Sequence, residues 1–128
     1  MYALVNDVES YPDYLPWCSA AQVYNRSEEQ LTASVSMAVG KIRQSFTTEN
    51  VMQPGRRIDV RLLDGPFKYL NGHWVFEPAG ERSCRVSLEM QFEFKNRLLK
   101  LALEKLFNHI MNSLMDAFLQ RARQIYSG

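Results

Sequence analysis

From Leu31 to Val39 the chain alternates: Leu31, Ala33, Val35, Met37 and Val39 are apolar, while Thr32, Ser34, Ser36 and Ala38 between them are small or polar. A period of two with one apolar face describes a strand buried on one side. Gly40 breaks the run, and a second one sets Ile42, Gln44, Phe46, Thr48 and Asn50 against Lys41, Arg43, Ser45, Thr47 and Glu49. After the turn residues Pro54-Gly55, Ile58, Val60 and Leu62 alternate with Arg57, Asp59 and Arg61. A further strand is expected from about Phe67 to Glu77, and Pro78-Ala79-Gly80 turns it into a long run through Cys84, Val86, Leu88, Met90, Phe92 and Phe94. Short turns between alternating runs predict consecutive antiparallel strands, each with one wet face.

Both ends of the chain carry a different period. Tyr2, Val5 and Val8 are three apart, with Leu4 beside them, and predict a short amphipathic helix. Ser10 followed by Asp13 resembles a cap for a second helical turn through Tyr14, which Pro16 ends by biasing Leu15 away from helix. The period changes to two from about Cys18. Near the C-terminus Leu99, Leu103, Leu106, Ile110, Leu114, Phe118, Ala122 and Ile125 fall three or four apart without an intervening proline. One long helix from about Asn96 to Tyr126 follows. Two short helices, about six antiparallel strands and a closing helix make an α+β domain over 1–128, in which a curved sheet wraps that helix.

Composition narrows the function classes. The 128 residues are 46% hydrophobic with a formal net charge of +1, so any surface for nucleic acid must be local, and DNA is not an expected partner. Cys18 and Cys84 lie in different segments with no Cys/His cluster, which predicts two buried thiols in a reducing cytoplasm and no metal site. The opening MYALVNDVESYP has no basic leader region, and no stretch approaches the roughly 18 apolar residues of a spanning helix. A cytoplasmic protein without a membrane span is expected.

The stretch LDGPFKYLNGHWVFEP raises a question of its own, because Gly65, Pro66 and Gly72 interrupt an alternating run. A glycine inside a strand weakens it and marks a bend or a close approach. Leu70, Gly72, Trp74 and Phe76 share one face, so Gly72 either lets the sheet bend or keeps space open beside Trp74.

Three segments, YALVNDVESYPDYLPWCSAAQVYNR, LDGPFKYLNGHWVFEP and FEFKNRLLKLALEKLFNHIMNSLMDAFLQRARQIY, together resemble the START-like family that contains the coenzyme Q-binding proteins and the bacterial ribosome association toxin. The resemblance covers nearly the whole chain and is most specific in VESYPDYLPWC and GPFKYLNGHWVF. It implies a helix-grip fold, a bent antiparallel sheet over an apolar cavity, and no catalytic residues of established role. Members of the family usually carry another strand ahead of the first small helix, whereas this sequence starts within that helix. Either Met1 is an internal methionine of a longer protein, or the sheet lacks that strand and its bare edge is free to pair with another chain.

Within such a fold the expected cavity wall comprises Trp17, Val35, Met37, Phe46, Val60, Leu70, Gly72, Trp74, Leu88 and Met90, with Phe107, Ile110, Met111 and Leu114 from the helix. If Phe46 faces inward, so do Gln44 and Thr48, and a mostly apolar pocket with a few polar groups suits ubiquinone or another lipid. No cofactor is otherwise required. Enzyme signatures are absent: His73 and His109 are isolated, and no nucleophile elbow, phosphate loop or metal-ligand spacing occurs. A non-enzymatic role is expected. Lys41, Arg43, Arg57 and Arg61 lie on outward faces of neighbouring strands, with Arg56 and Lys68 near them, and form a candidate RNA surface diluted by Glu49 and Asp59. The toxin-like relatives imply that this surface meets the large ribosomal subunit and blocks subunit joining.

Overall fold

The computed structural model describes residues 2–78 and 84–126. Helix α1 (Tyr2–Asn6) leads into a 3-10 turn (Val8–Asp13), followed by strands β1 (Cys18–Tyr24), β2 (Gln30–Val39), β3 (Ile42–Gln53), β4 (Arg57–Asp64), β5 (Phe67–Pro78) and β6 (Cys84–Phe94). Helix α2 (Arg97–Tyr126) closes the chain. The six strands form one sheet in the order β1-β2-β3-β4-β5-β6, every neighbouring pair antiparallel. The expected turn at Ala79-Gly80 and the side chain of Cys84 lie outside the described residues.

Alternation decides which face of the sheet is dry. Leu31, Ala33, Val35 and Met37 of β2 are buried, as are Thr48, Asn50 and Met52 of β3, Ile58 of β4 and Leu70, Trp74 and Phe76 of β5. Helix α2 lays a stripe at three- and four-residue spacing against this face: Leu103, Phe107, Ile110, Leu114 and Phe118, all buried. Its first turn is capped by Asn96, whose Oδ1 accepts from the Leu99 N–H at 2.9 Å. Apolar residues off the stripe stay wet, Leu98 being 77% exposed.

One local expectation is corrected, and one strand departs from strict alternation. Ser10 does not cap a helix; its hydroxyl donates to Asp7 Oδ2 at 2.7 Å, and the turn runs through Pro12 as 3-10 rather than α. On β5, strict alternation from Leu70 would turn Phe67 outward, yet Phe67 is buried. A register shift between Phe67 and Tyr69 rotates it inward, against Phe94, Phe107 and Phe46. Such a bulge changes which face a side chain occupies.

Gly72 answers the question posed by its strand. It pairs with Met90 of β6, and a Cβ there would stand 2.2 Å from the Glu89 carbonyl oxygen and 2.9 Å from Met90 Cα. The glycine is required by the close approach of the neighbouring backbone, not by space held open for a ligand. Gly65 is held at φ +153°, where a Cβ would meet Phe46 Cβ at 2.7 Å. Gly72→Ala is therefore expected to cost about 2–3 kcal/mol as an overpacked site. Urea denaturation will show a lowered midpoint at unchanged slope.

Candidate functional site

Between the sheet and α2 lies a partly open cavity of about 100 Å³. The sheet contributes Ala33, Val35, Phe46, Ile58, Val60, Leu70, Trp74 and Met90 to its wall, together with Thr48 and Asn50. The N-terminal segment adds Val5, Val8, Tyr11 and Trp17, and α2 adds Phe107, Met111, Leu114 and Phe118. A volume of this size holds a few water molecules and falls well below the roughly 300 Å³ at which ligand sites begin.

Most of the residues expected on the wall are there, but five are not. Met37 packs with Phe67 and Phe94 in a second cluster, Leu88 fills the main core, and Gln44 is half-buried away from the cavity on a shallow surface hollow. Ile110 is buried and faces a different recess. Gly72 leaves the set for the reason given above. The residue that alternation should have added is Asn50, in phase with Phe46 and Thr48. Thr48 Oγ1 donates to Asn50 Oδ1 at 3.0 Å, and the two are only 6% and 9% exposed.

A second recess, an open groove of about 680 Å³, runs along α2 on the side of the LPW segment. Leu15, Pro16, Trp17, Val39, Leu106 and Ile110 supply its apolar lining, and His109, Asp116 and Arg121 are among its polar residues. Trp17 lines both the groove and the cavity.

The basic residues do not make the single patch that their outward faces suggested. Arg57 is bound to Asp59 at 3.0 Å and Arg61 to Glu49 at 3.2 Å, so both charges are compensated on the same face. On β3, Arg43 precedes Glu49, the register partner of Arg61, by six positions and Gln53, the partner of Arg57, by ten. At roughly 3.3 Å per residue these positions are about 20 and 33 Å apart. Lys41 and Arg43 thus stand alone beside the β2–β3 turn. Lys68 lines another groove, with Lys95, Arg97 and Lys100 at the junction of β6 and α2.

Acid–base chemistry finds little to work with. His73 points outward and meets Glu89 at 3.2 Å, and no group of three metal-ligating side chains occurs among the described residues. The titratable groups that are perturbed move away from neutrality. Burial is the main cause at Tyr11, whose hydroxyl donates to the Val5 carbonyl, and at Tyr14; both phenols are held well above their usual range. Burial also pushes the Cys18 thiol up to about 11, opposed by a backbone hydrogen bond at Ala20.

Comparison with known proteins places these features. The model of the family described as polyketide cyclase/dehydrase and lipid transport matches residues 1–119. The ribosome association toxin RatA of Pseudomonas aeruginosa is 44% identical over 126 residues, covering 98% of this chain and 88% of the toxin. The mitochondrial coenzyme Q-binding protein of Drosophila melanogaster is 27% identical over 97% of this chain and 53% of its own length. A START superfamily protein from Mycobacterium smegmatis superposes with a TM-score of 0.77 at 20% identity, over 97% of this chain and 88% of that one, a likeness of fold.

The raised thiol gives a pH prediction. The usual value is 9.0 and the folded one about 11, so above pH 9 the unfolded chain releases a proton that the folded chain keeps. Stability is fully present below about pH 9 and declines as pH rises toward 11. Thermal melts across pH 7–11 will show that decline, and Cys18→Ala will remove part of it between pH 9 and 10, before the tyrosines add theirs.

Proposed function

Because this chain belongs to the polyketide cyclase/dehydrase and lipid transport family, the START-like group of the ribosome association toxins and coenzyme Q-binding proteins, we propose that it is a non-catalytic ribosome-associating protein. The observation that carries this reading is 44% identity to a ribosome association toxin across 98% of the chain. The geometry is consistent with it. The cavity is lined by apolar residues, Thr48 and Asn50, with no carboxylate, histidine or lysine to move a proton, and its one phenol is held above the working range. Binding to a ribosomal subunit, so that subunits do not join, asks nothing of the interior beyond stability. It asks for surface cations to meet phosphates.

A second reading concerns the interior, and a specific feature favours it. A mostly apolar wall that carries a buried hydroxyl and a buried amide has the chemistry of a site for an amphipathic ligand, ubiquinone or a related lipid, although at about 100 Å³ the space must widen before it admits one. The methionines Met90 and Met111 on its wall can repack around such a molecule. The two readings use opposite faces of the sheet and are compatible.

Sucrose-gradient sedimentation of purified ribosomal subunits tests the first reading. The protein is expected to travel with the large subunit and to reduce the joined fraction. Lys41→Glu with Arg43→Glu, which reverses two cations that have no carboxylate partner among the described residues, should weaken binding and lower its salt slope by about 1.5. Arg57→Ala and Arg61→Ala should change it little, because their charges are already matched. An unaltered subunit profile at large molar excess of protein removes the ribosome reading.

A further inference from the structure

Helix α2 buries one face at its start and leaves two leucines out on the other. Leu103 and Phe107 are buried and Leu99 is half-buried beside them, whereas Leu98 and Leu101 are 77% and 76% exposed. Being three residues apart, these two project from one side of the helix, and Ala102 and Lys105, both exposed, continue that side into the next turn. Single exposed leucines are ordinary on a protein surface. A pair on one helical face is a small apolar patch, and packing against the sheet does not account for it.

Cations border the patch. Lys68, Lys95, Arg97 and Lys100 line a groove of about 820 Å³ at the junction of β6 and α2, and Leu101 is part of its wall. Glu93 and Glu104 also line it; Glu104 meets Lys100 at 3.7 Å, while Lys68, Lys95 and Arg97 make no ion pair among the described residues. The groove is therefore positive and calls for an anionic partner.

The leucines choose among anions. The phosphates of an RNA could pair with the cations, but a hydrated phosphate backbone gives Leu98 and Leu101 nothing apolar to enter. An anionic bilayer surface satisfies both, because headgroup phosphates meet the cations while the acyl boundary beneath them takes the leucines. Helix α2 is not apolar enough to cross a membrane and can only rest at its surface. It is already folded against the sheet, so contact does not carry the cost of ordering a helix.

We propose that the first turns of α2, with Lys68 and Lys95, form a docking surface for anionic lipid bilayers: Leu98 and Leu101 enter the headgroup region, and Lys95, Arg97, Lys100 and Lys105 meet lipid phosphates. This goes beyond the ribosome reading and does not depend on it, nor on a ligand in the cavity.

Co-sedimentation of the full chain with vesicles of phosphatidylcholine, with and without phosphatidylglycerol, tests the surface. Binding to the charged vesicles is expected to be at least about tenfold tighter than to the neutral ones and to weaken as salt is raised. Leu98→Gln with Leu101→Gln should lower that binding about tenfold. Both side chains stand in solvent, so circular dichroism melts of this variant should match those of the parent. Lys95→Gln with Arg97→Gln and Lys100→Gln should erase the preference for charged vesicles. If the parent and the leucine variant bind charged vesicles alike, nothing inserts and the proposal falls to simple adsorption of charge. If neither vesicle is bound, the lipid assignment is overturned, and tight binding of a uridine homopolymer in the same buffer gives the groove to nucleic acid instead. Subunit sedimentation is read on the same protein without vesicles, so either idea can fail alone.

Discussion

Phe118 is the point on which the described fold closes. It is 0% exposed and meets three aromatic rings edge-on: Trp74 at 5.3 Å, Tyr11 at 5.4 Å and Tyr14 at 5.8 Å. Those rings come from β5 and from the N-terminal turn, so one side chain of α2 ties together the three parts of the chain that are farthest apart in sequence. Edge-to-face pairs add roughly 0.5–1.5 kcal/mol each beyond the area they bury. Without that knot the helix has no fixed position along the sheet, and the cavity between them has no defined shape. Arg121, one turn further on, stacks its guanidinium 5.0 Å above Tyr14 and holds the outside of the same corner.

Elements were legible in the sequence because each has its own period. The two-residue alternation of β2 and the three-to-four spacing of Leu103, Phe107, Ile110, Leu114 and Phe118 follow from backbone geometry alone. What was not legible arises where one strand meets another. The inward turn of Phe67 depends on a bulge that exists only in the pairing of β5 with β6. Gly72 is dictated by the backbone of Glu89 and Met90, residues seventeen and eighteen positions away. The same holds for the charges: alternation places Arg57 and Arg61 outward, but only the register shows Glu49 beside Arg61 and the span that separates both from Arg43.

The candidate site shows the same division. Trp17, Val35, Phe46, Thr48, Val60, Leu70, Trp74, Met90, Phe107, Met111 and Leu114 reach the cavity as their phase predicts. Met37 has the correct phase and still misses it, because the interior divides into two clusters and Met37 falls in the one with Phe67. Phase gives the face of a strand, and position along the strand decides the cluster. Asn50 was in phase with Thr48 and carried the signal, a second polar residue two positions on. That signal is easily discounted, since an amide near a strand end is ordinarily solvated.

The two-residue period also explains how one sheet can serve two tasks. On β3, Thr47 points outward and its hydroxyl meets that of Ser34 at 2.7 Å, while Thr48 points inward and bonds Asn50. Adjacent residues therefore sit in separate environments, one answerable to solvent and partners, the other to the cavity. A substitution at Arg43 alters the outer charge without moving the wall, and one at Asn50 alters the cavity without touching the outer face. Within one family, then, an interior suited to an apolar ligand and an exterior suited to an anionic partner are free to change independently, provided that Phe118 and its three aromatic neighbours keep the helix in place.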